Sequence, residues 1–282
     1  MSLRVNTLTN WTMELQLNNP LHHNALTLQD WLEGEKIIAH AAQDPNVRTL
    51  IVTGSNRSFC AGADVAFLRQ LQTMGTAQRR QSLEAGSRLV KALIRFPGAT
   101  IAAVDGPAIG IGASLALACD SVFATERSRF GLVFTSLGLP GGDMAASWLV
   151  ARRAGFRVAS RLFADASTIN AVEAAQLRLV DGVVDSIDCA RIAQDADLRV
   201  ARIAPDAAAT TKRQILEMEG AFADLDGHMH AQLEALVAAV GGDDFNVALN
   251  AQARKVPAPF ARRTVPPTKS PMTKSNADSR TT

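Results

Sequence analysis

The chain has 282 residues, 47% of them hydrophobic, enough for one large domain with a full core. Lys plus Arg number 29 against 27 Asp plus Glu, and this near balance gives no general affinity for nucleic acid or an anionic membrane. Cys60, Cys119 and Cys189 are odd in number and lack a C-x-x-C pairing, which argues against a disulfide framework and a thiolate zinc site and fits a reducing cytoplasm.

The opening MSLRVNTLTN lacks the charged-then-apolar pattern of a signal peptide, and no apolar run approaches the roughly 18 residues of a membrane span. Helical periodicity covers 28–43 (LQDWLEGEKIIAHAAQ), and RTLIVTG (48–54) then reads as a buried strand. In the turn VTGSNRSFCAGADVAFL (52–68), small residues at Ala61, Gly62 and Ala63 let a ligand approach the backbone, and Asp64 is placed to cap the next helix. A helix over 76–96 and a strand over 100–106 follow. The second turn, VDGPAIGIGASLALACD (104–120), places Gly110 and Gly112 before a helix predicted to open at about Ala113. Free N–H groups at a helix start favour negative charge, so two such turns converging on one point would make an oxyanion hole.

DSVFATE (120–126) and LVDGVVD (179–185) read as strands, and Asn170 with Glu173 as a capping box. From Asp188 to Val240 the pattern is almost wholly helical. Alternating strands and helices give an α/β class. The expected organisation is a core with the ligand site over 1–200, a helical subdomain over 201–263 and a Pro/Ser/Thr/Lys-rich disordered tail over 264–282.

Five ordered segments together resemble the crotonase superfamily, the enoyl-CoA hydratase/isomerase family, over roughly residues 5–262. These are NPLHHNALTLQ (19–29), FCAGADVAFL, GPAIGIGASLALACD, TINAVEAAQLRLVDGVV (168–184) and DDFNVALNAQARKVPAPFARR (243–263). The resemblance implies a spiral of ββα turns with a C-terminal helical part that assembles a trimer, often paired into a hexamer. It implies an acyl-CoA thioester as substrate, no permanently bound cofactor and no metal. The thioester oxygen would rest on the backbone N–H groups of Ala63 and Ile111, the latter standing where many relatives have Gly. Asn24, Ala25, Leu26 and Ala61 match positions around the CoA adenine, and Lys255 and Phe260 match a C-terminal segment that reaches CoA.

The chain departs from the family where hydratases carry two Glu side chains: those places hold Ser114 and Phe134, or Thr135 if the gap is set differently. Hydration needs a base for water and an acid for the carbon, and neither residue supplies one. In RFGLVFTSLGLPGGDMAASW (129–148), Asp143 is the one proton carrier at neutral pH besides the flanking Arg129 guanidinium. It matches an acid of dienoyl-CoA isomerases, and Gly-Gly-Asp also reads as an ordinary helix N-cap. Asp64 and Glu84 are further candidates without a motif to support them. Ser114 as a nucleophile would need a positioned base, and His22, His23, His40, His228 and His230 all lie outside the stretch where one would follow. The readings that stand are an enzyme stabilising a thioester enolate, with isomerisation favoured over hydration, an enoyl-CoA hydratase using an unidentified acid/base, and a silent acyl-CoA-binding protein.

Overall fold

The computed structural model describes residues 2–134, 143–217, 254 and 256. Strands β1 (Leu3–Thr7), β2 (Thr12–Leu17), β3 (Thr49–Gly54), β4 (Ala99–Val104), β6 (Ser121–Thr125) and β9 (Gly182–Val184) form one sheet in the order β1-β2-β3-β4-β6-β9. Only the β1–β2 pair is antiparallel. A smaller sheet joins β5 (Pro107–Ile109), β7 (Arg129–Gly131) and β8 (Thr168–Asn170). From β4 onward the chain twice gives one strand to the large sheet, one to the small sheet and then a helix. That is the expected ββα spiral, and its α/β class holds.

Helix α1 (Leu28–Gln43) has the predicted bounds, because a Thr27–Asp30 capping box starts it and Trp31, Gly34, Ile38 and Ala41 recur at helical spacing on its buried face. Helices α2 (Val65–Thr73) and α3 (Thr76–Ile94) follow β3, and α4 (Ile111–Ala118) follows β5. Every residue of α4 is buried. Helices α5 (Ala146–Ala154), α6 (Phe156–Ala164) and α7 (Ala171–Gln176) continue the spiral. Asn170 caps α7 by accepting from the Glu173 N–H at 2.8 Å, half of the expected box.

Helix α8 (Cys189–Val200) lies over β2 and β3, where Ala193 packs on Ile51 and Ala103. Helix α9 (Pro205–Glu217) is tied to the sheet by charge. The buried Arg48, stacked 5.1 Å over Trp11, donates to the Val200 and Ile203 carbonyls, and Lys212 donates to the Gly98 carbonyl at 3.1 Å and to Asp120 at 2.7 Å. The expected tail, 264–282, and most of the expected helical subdomain lie outside the described residues.

Candidate functional site

The two small-residue turns lie side by side. Cys60 and Ala108 form a parallel bridge, with the Cys60 N–H donating to the Pro107 carbonyl and the Ile109 N–H to the Cys60 carbonyl, each at 2.9 Å. Ala63 and Ile111 both come three residues after that bridge, on the two neighbouring segments. Glycine allows the approach: a Cβ on Gly112 would stand 2.3 Å from the Cys60 carbonyl oxygen. Gly110 has φ 55 and ψ −120, a conformation that other residues avoid.

A second parallel bridge, Leu26 to Ala63, orients the first turn. It uses the Gly62 carbonyl and the Asp64 N–H, at 2.9 and 2.8 Å, and so turns the Ala63 N–H to the opposite side. Asp64 caps α2 as expected, accepting from the Phe67 N–H at 3.0 Å. On the second turn, α4 begins at Ile111, two residues earlier than predicted, because Gly112 lets its first turn lie against Cys60. Ile111 thus occupies the first helical position, where an N–H has no intrahelical acceptor, and no side chain caps this end. Each turn thus carries a backbone N–H, that of Ala63 and that of Ile111, on a residue with no ionisable group.

Around them the segment 19–26 is fully tied. The buried Asn24, at φ 58, donates to the Ser55 and Ser58 carbonyls and accepts from Asn19 and Ser55. The N–H groups of Asn24, Ala25, Leu26 and Ala61 donate to Asn19, His22, Gly62 and His23 carbonyls. What this segment can offer a ligand is therefore carbonyl oxygen and surface, not the Asn24 amide. Cys60, fully buried at the turn, has its thiol pushed up to about 12 by burial, so it stays protonated and supplies no thiolate.

Ser114 lies wholly buried in the first turn of α4, with its hydroxyl 3.5 Å from the Gly110 carbonyl. Phe134 is 5% exposed, its ring 6.3 Å from that of Phe163. Both places are buried. Asp143 opens a short 3-10 turn ending at Ala145, and α5 starts only at Ala146 with Ala145 at its N-cap position and no side-chain cap. Asp143 is therefore not the cap of α5. The register slips because Met144 (φ 51) and Ala145 (φ 58) are both left-handed, a conformation that neither residue type announces. The Met144 side chain is buried against Gly86 of α3. Lys255 and Phe260 lie outside the described residues, as do Thr135, His228 and His230. Sequence reasoning missed Gly86 and Met144, for which no short-range signal exists.

A groove of about 930 Å³ between α3, α5 and α9 is lined by Ala145 and Trp148 but not by Ala63, Ile111 or Ser114. Among the described residues no cluster of His, Cys, Asp or Glu has metal-binding geometry, and no helix is long and apolar enough to cross a membrane.

The family model for enoyl-CoA hydratase/isomerase matches residues 9–260. The 2,3-dehydroadipyl-CoA hydratase of Escherichia coli is 31% identical over 225 residues, 80% of this chain and 86% of that protein. The short-chain-enoyl-CoA hydratase of Clostridium acetobutylicum is 29% identical over 83% of this chain and 88% of its own. Among solved structures, Pseudomonas aeruginosa AtuE superposes with a TM-score of 0.85 at 28% identity, covering 93% of this chain and 100% of that one. An enoyl-CoA hydratase/isomerase from Marinobacter aquaeolei gives 0.84 at 25% identity, over 92% and 99%. With the spiral, the paired turns and a match over nearly its whole length, the chain belongs to the enoyl-CoA hydratase/isomerase family of the crotonase superfamily.

Proposed function

We propose that this acyl-CoA-processing enzyme shifts a carbon–carbon double bond in an enoyl-CoA thioester and hydrates poorly. The Ala63 and Ile111 N–H groups would hold the thioester oxygen as negative charge develops on it, a role suited to fixed backbone dipoles that cannot lose a proton. The carboxylate of Asp143 would take a proton from the acyl chain to give a dienolate, then return it at another carbon. No water is consumed and no net proton changes hands.

The observation that carries this reading is that both positions of the hydratase carboxylates are buried and non-acidic: Ser114 turned to the helix backbone, Phe134 beside a second aromatic ring. CoA would lay its adenine amino group, a donor, on the carbonyl-presenting segment of Asn24, Ala25, Leu26 and Ala61, with Lys255 and Phe260 closing over it, and the subunits would form a trimer or hexamer.

Turnover of 2-enoyl-, 3-enoyl- and 2,4-dienoyl-CoA thioesters by the purified protein tests the reading. Isomerisation should dominate, and Asp143→Asn should lower it by ~10²–10⁴ while leaving thioester affinity nearly unchanged. Efficient hydration insensitive to Asp143→Asn would place the chemistry elsewhere. Light scattering should give a trimer or hexamer, and a stable monomer would contradict that part.

A further inference from the structure

Helix α4 carries Ile111 at one end, and the other end stops abruptly. Cys119, 1% exposed, turns extended at φ −72 and ψ 154, so the last carbonyls of α4 lie inside the protein. Buried carbonyls at a helix end need donors from elsewhere. The donor is Arg153 in the last turn of α5. Its Nε donates to the Leu117 carbonyl at 3.0 Å and its Nη2 to the Cys119 carbonyl. Its Nη1 stands 3.8 Å from Asp181 Oδ2, which accepts from the Val122 N–H at 2.7 Å. The Arg153 side chain is only 16% exposed.

This places one guanidinium where the far ends of two helices meet. The near end of α4 presents Ile111, and the near end of α5 follows directly on the turn that begins at Asp143 and touches α4. Eight residues make α4 a rod of about 12 Å. Its lengthwise position is set at the start by the Gly112 contact with Cys60 and the Gly110 N–H donating to the Gly131 carbonyl, along its length by the burial of every residue, and at its last carbonyls by Arg153. A cation there also complements the helix dipole.

We propose that Arg153 is a positioning residue, which holds α4 lengthwise against α5 and thereby sets the Ile111 N–H level with that of Ala63. The proposal rests on the reading of those two groups as the oxyanion donors. Arg153 touches no substrate. It acts through the helix, and its removal changes how well developing charge is held rather than whether the thioester binds.

Acetoacetyl-CoA tests this without knowledge of the physiological substrate, because its enolate absorbs in the near ultraviolet and its enolate-to-keto ratio at fixed pH reports on donors to the thioester oxygen. The wild-type protein should raise that ratio above the free ligand's. Arg153→Leu should lower the bound ratio about tenfold, less than loss of a whole donor. The Kd for butyryl-CoA, which forms no enolate under these conditions, should change by less than about twofold. Arg153→Lys, which keeps the charge but reaches one carbonyl rather than two, should fall between and decides the matter if the Leu variant does not fold. Variants with the wild-type ratio and only a lower Tm would overturn the proposal, leaving Arg153 as a cap and no more. A wild-type protein that does not raise the ratio would overturn the donor pair, and this inference with it.

Discussion

The two halves of the candidate site are built on opposite principles. In the half made by Cys60–Asp64 and Ala108–Gly112, bridges and backbone hydrogen bonds fix the chain, and the groups offered are N–H donors that every residue type except proline carries. Ile111 keeps its backbone N–H whatever its side chain. In the half made by Ser114 and the stretch from Phe134 to Ala146, any acid–base chemistry depends on particular side chains, and single replacements remove it. The comparison teaches where a family's chemistry is robust to sequence change and where it is not.

The sharpest attempt to break the contrast restores acids to the second half. Phe134→Glu exchanges a ring packed near Phe163 for a carboxylate in a buried place and should cost about 3–5 kcal/mol, read by urea denaturation. If the double variant with Ser114→Glu folds, it should gain hydration with a particular pH dependence. Burial disfavours the charged carboxylate, which raises its pKa, so the base form and the activity should grow as pH rises above the ordinary carboxylate range. A gain already complete at acidic pH would show that the two places are wetter than the packing implies.

The first half should break through its glycines instead. Gly112→Ala drives a Cβ into the Cys60 carbonyl and should destabilise by about 2–3 kcal/mol while abolishing acyl-CoA binding in calorimetry. Gly75→Ala, at a position with nothing near the added Cβ, should be close to neutral. Between these in kind lies Gly86→Ala, whose Cβ would meet the Met144 Cε at 2.5 Å and Sδ at 2.7 Å, with the Trp31 Cε3 at 3.0 Å. The end of a methionine side chain yields readily, so stability should fall by only about 1 kcal/mol. Two left-handed residues after Asp143 depend on that seat, so isomerase kcat should fall further than stability accounts for, with KM unchanged. Equal losses in kcat and in binding would refute the link.

Legibility followed the same divide. Helix α1 was readable to the residue because its cap, its spacing and its length agree, and β3, β4 and β6 were readable as apolar runs. The strands β5, β7 and β8 have three residues each and carry no alternation to detect. On β1, four of five residues are not buried, so its apolar pattern is faint. Ala63 and Ile111 have no side-chain signature of function, and only the glycines beside them and the family resemblance point there. Asn24 reads as a ligand contact by resemblance, yet four hydrogen bonds to Asn19, Ser55 and Ser58 hold its side chain in the turn. The start of α5 was misplaced because left-handed Met144 and Ala145 are long-range consequences of packing on α3.

The smallest expected effect tests whether the first half is also supported from its rim. Asp105, between β4 and β5, accepts from Arg127 Nε at 2.6 Å and Nη2 at 2.8 Å, and from the Thr125 hydroxyl at 2.8 Å. Next to it, Ser128 donates to the Val104 carbonyl and accepts from the Gly106 N–H, so the pair braces the approach to the second turn. Partial burial pushes the Asp105 carboxyl up, but hydrogen bonds from Arg127 and Thr125 and the charges of Arg127 and Arg57 outweigh it and hold the group below its ordinary value of 3.8. A carboxylate whose pKa is lower in the folded state contributes stability above its unfolded pKa and loses it as pH falls through the folded value. Arg127 is solvent-exposed, so screening keeps the contribution small. Asp105→Asn should therefore lower Tm by about 1–3 °C at neutral pH, with the difference constant down to about pH 5 and vanishing in the acid range below the unfolded pKa. A difference that widened on acidification would mean that Asp105 is protonated more readily in the folded protein, and that the brace is a neutral hydrogen bond instead of an ion pair.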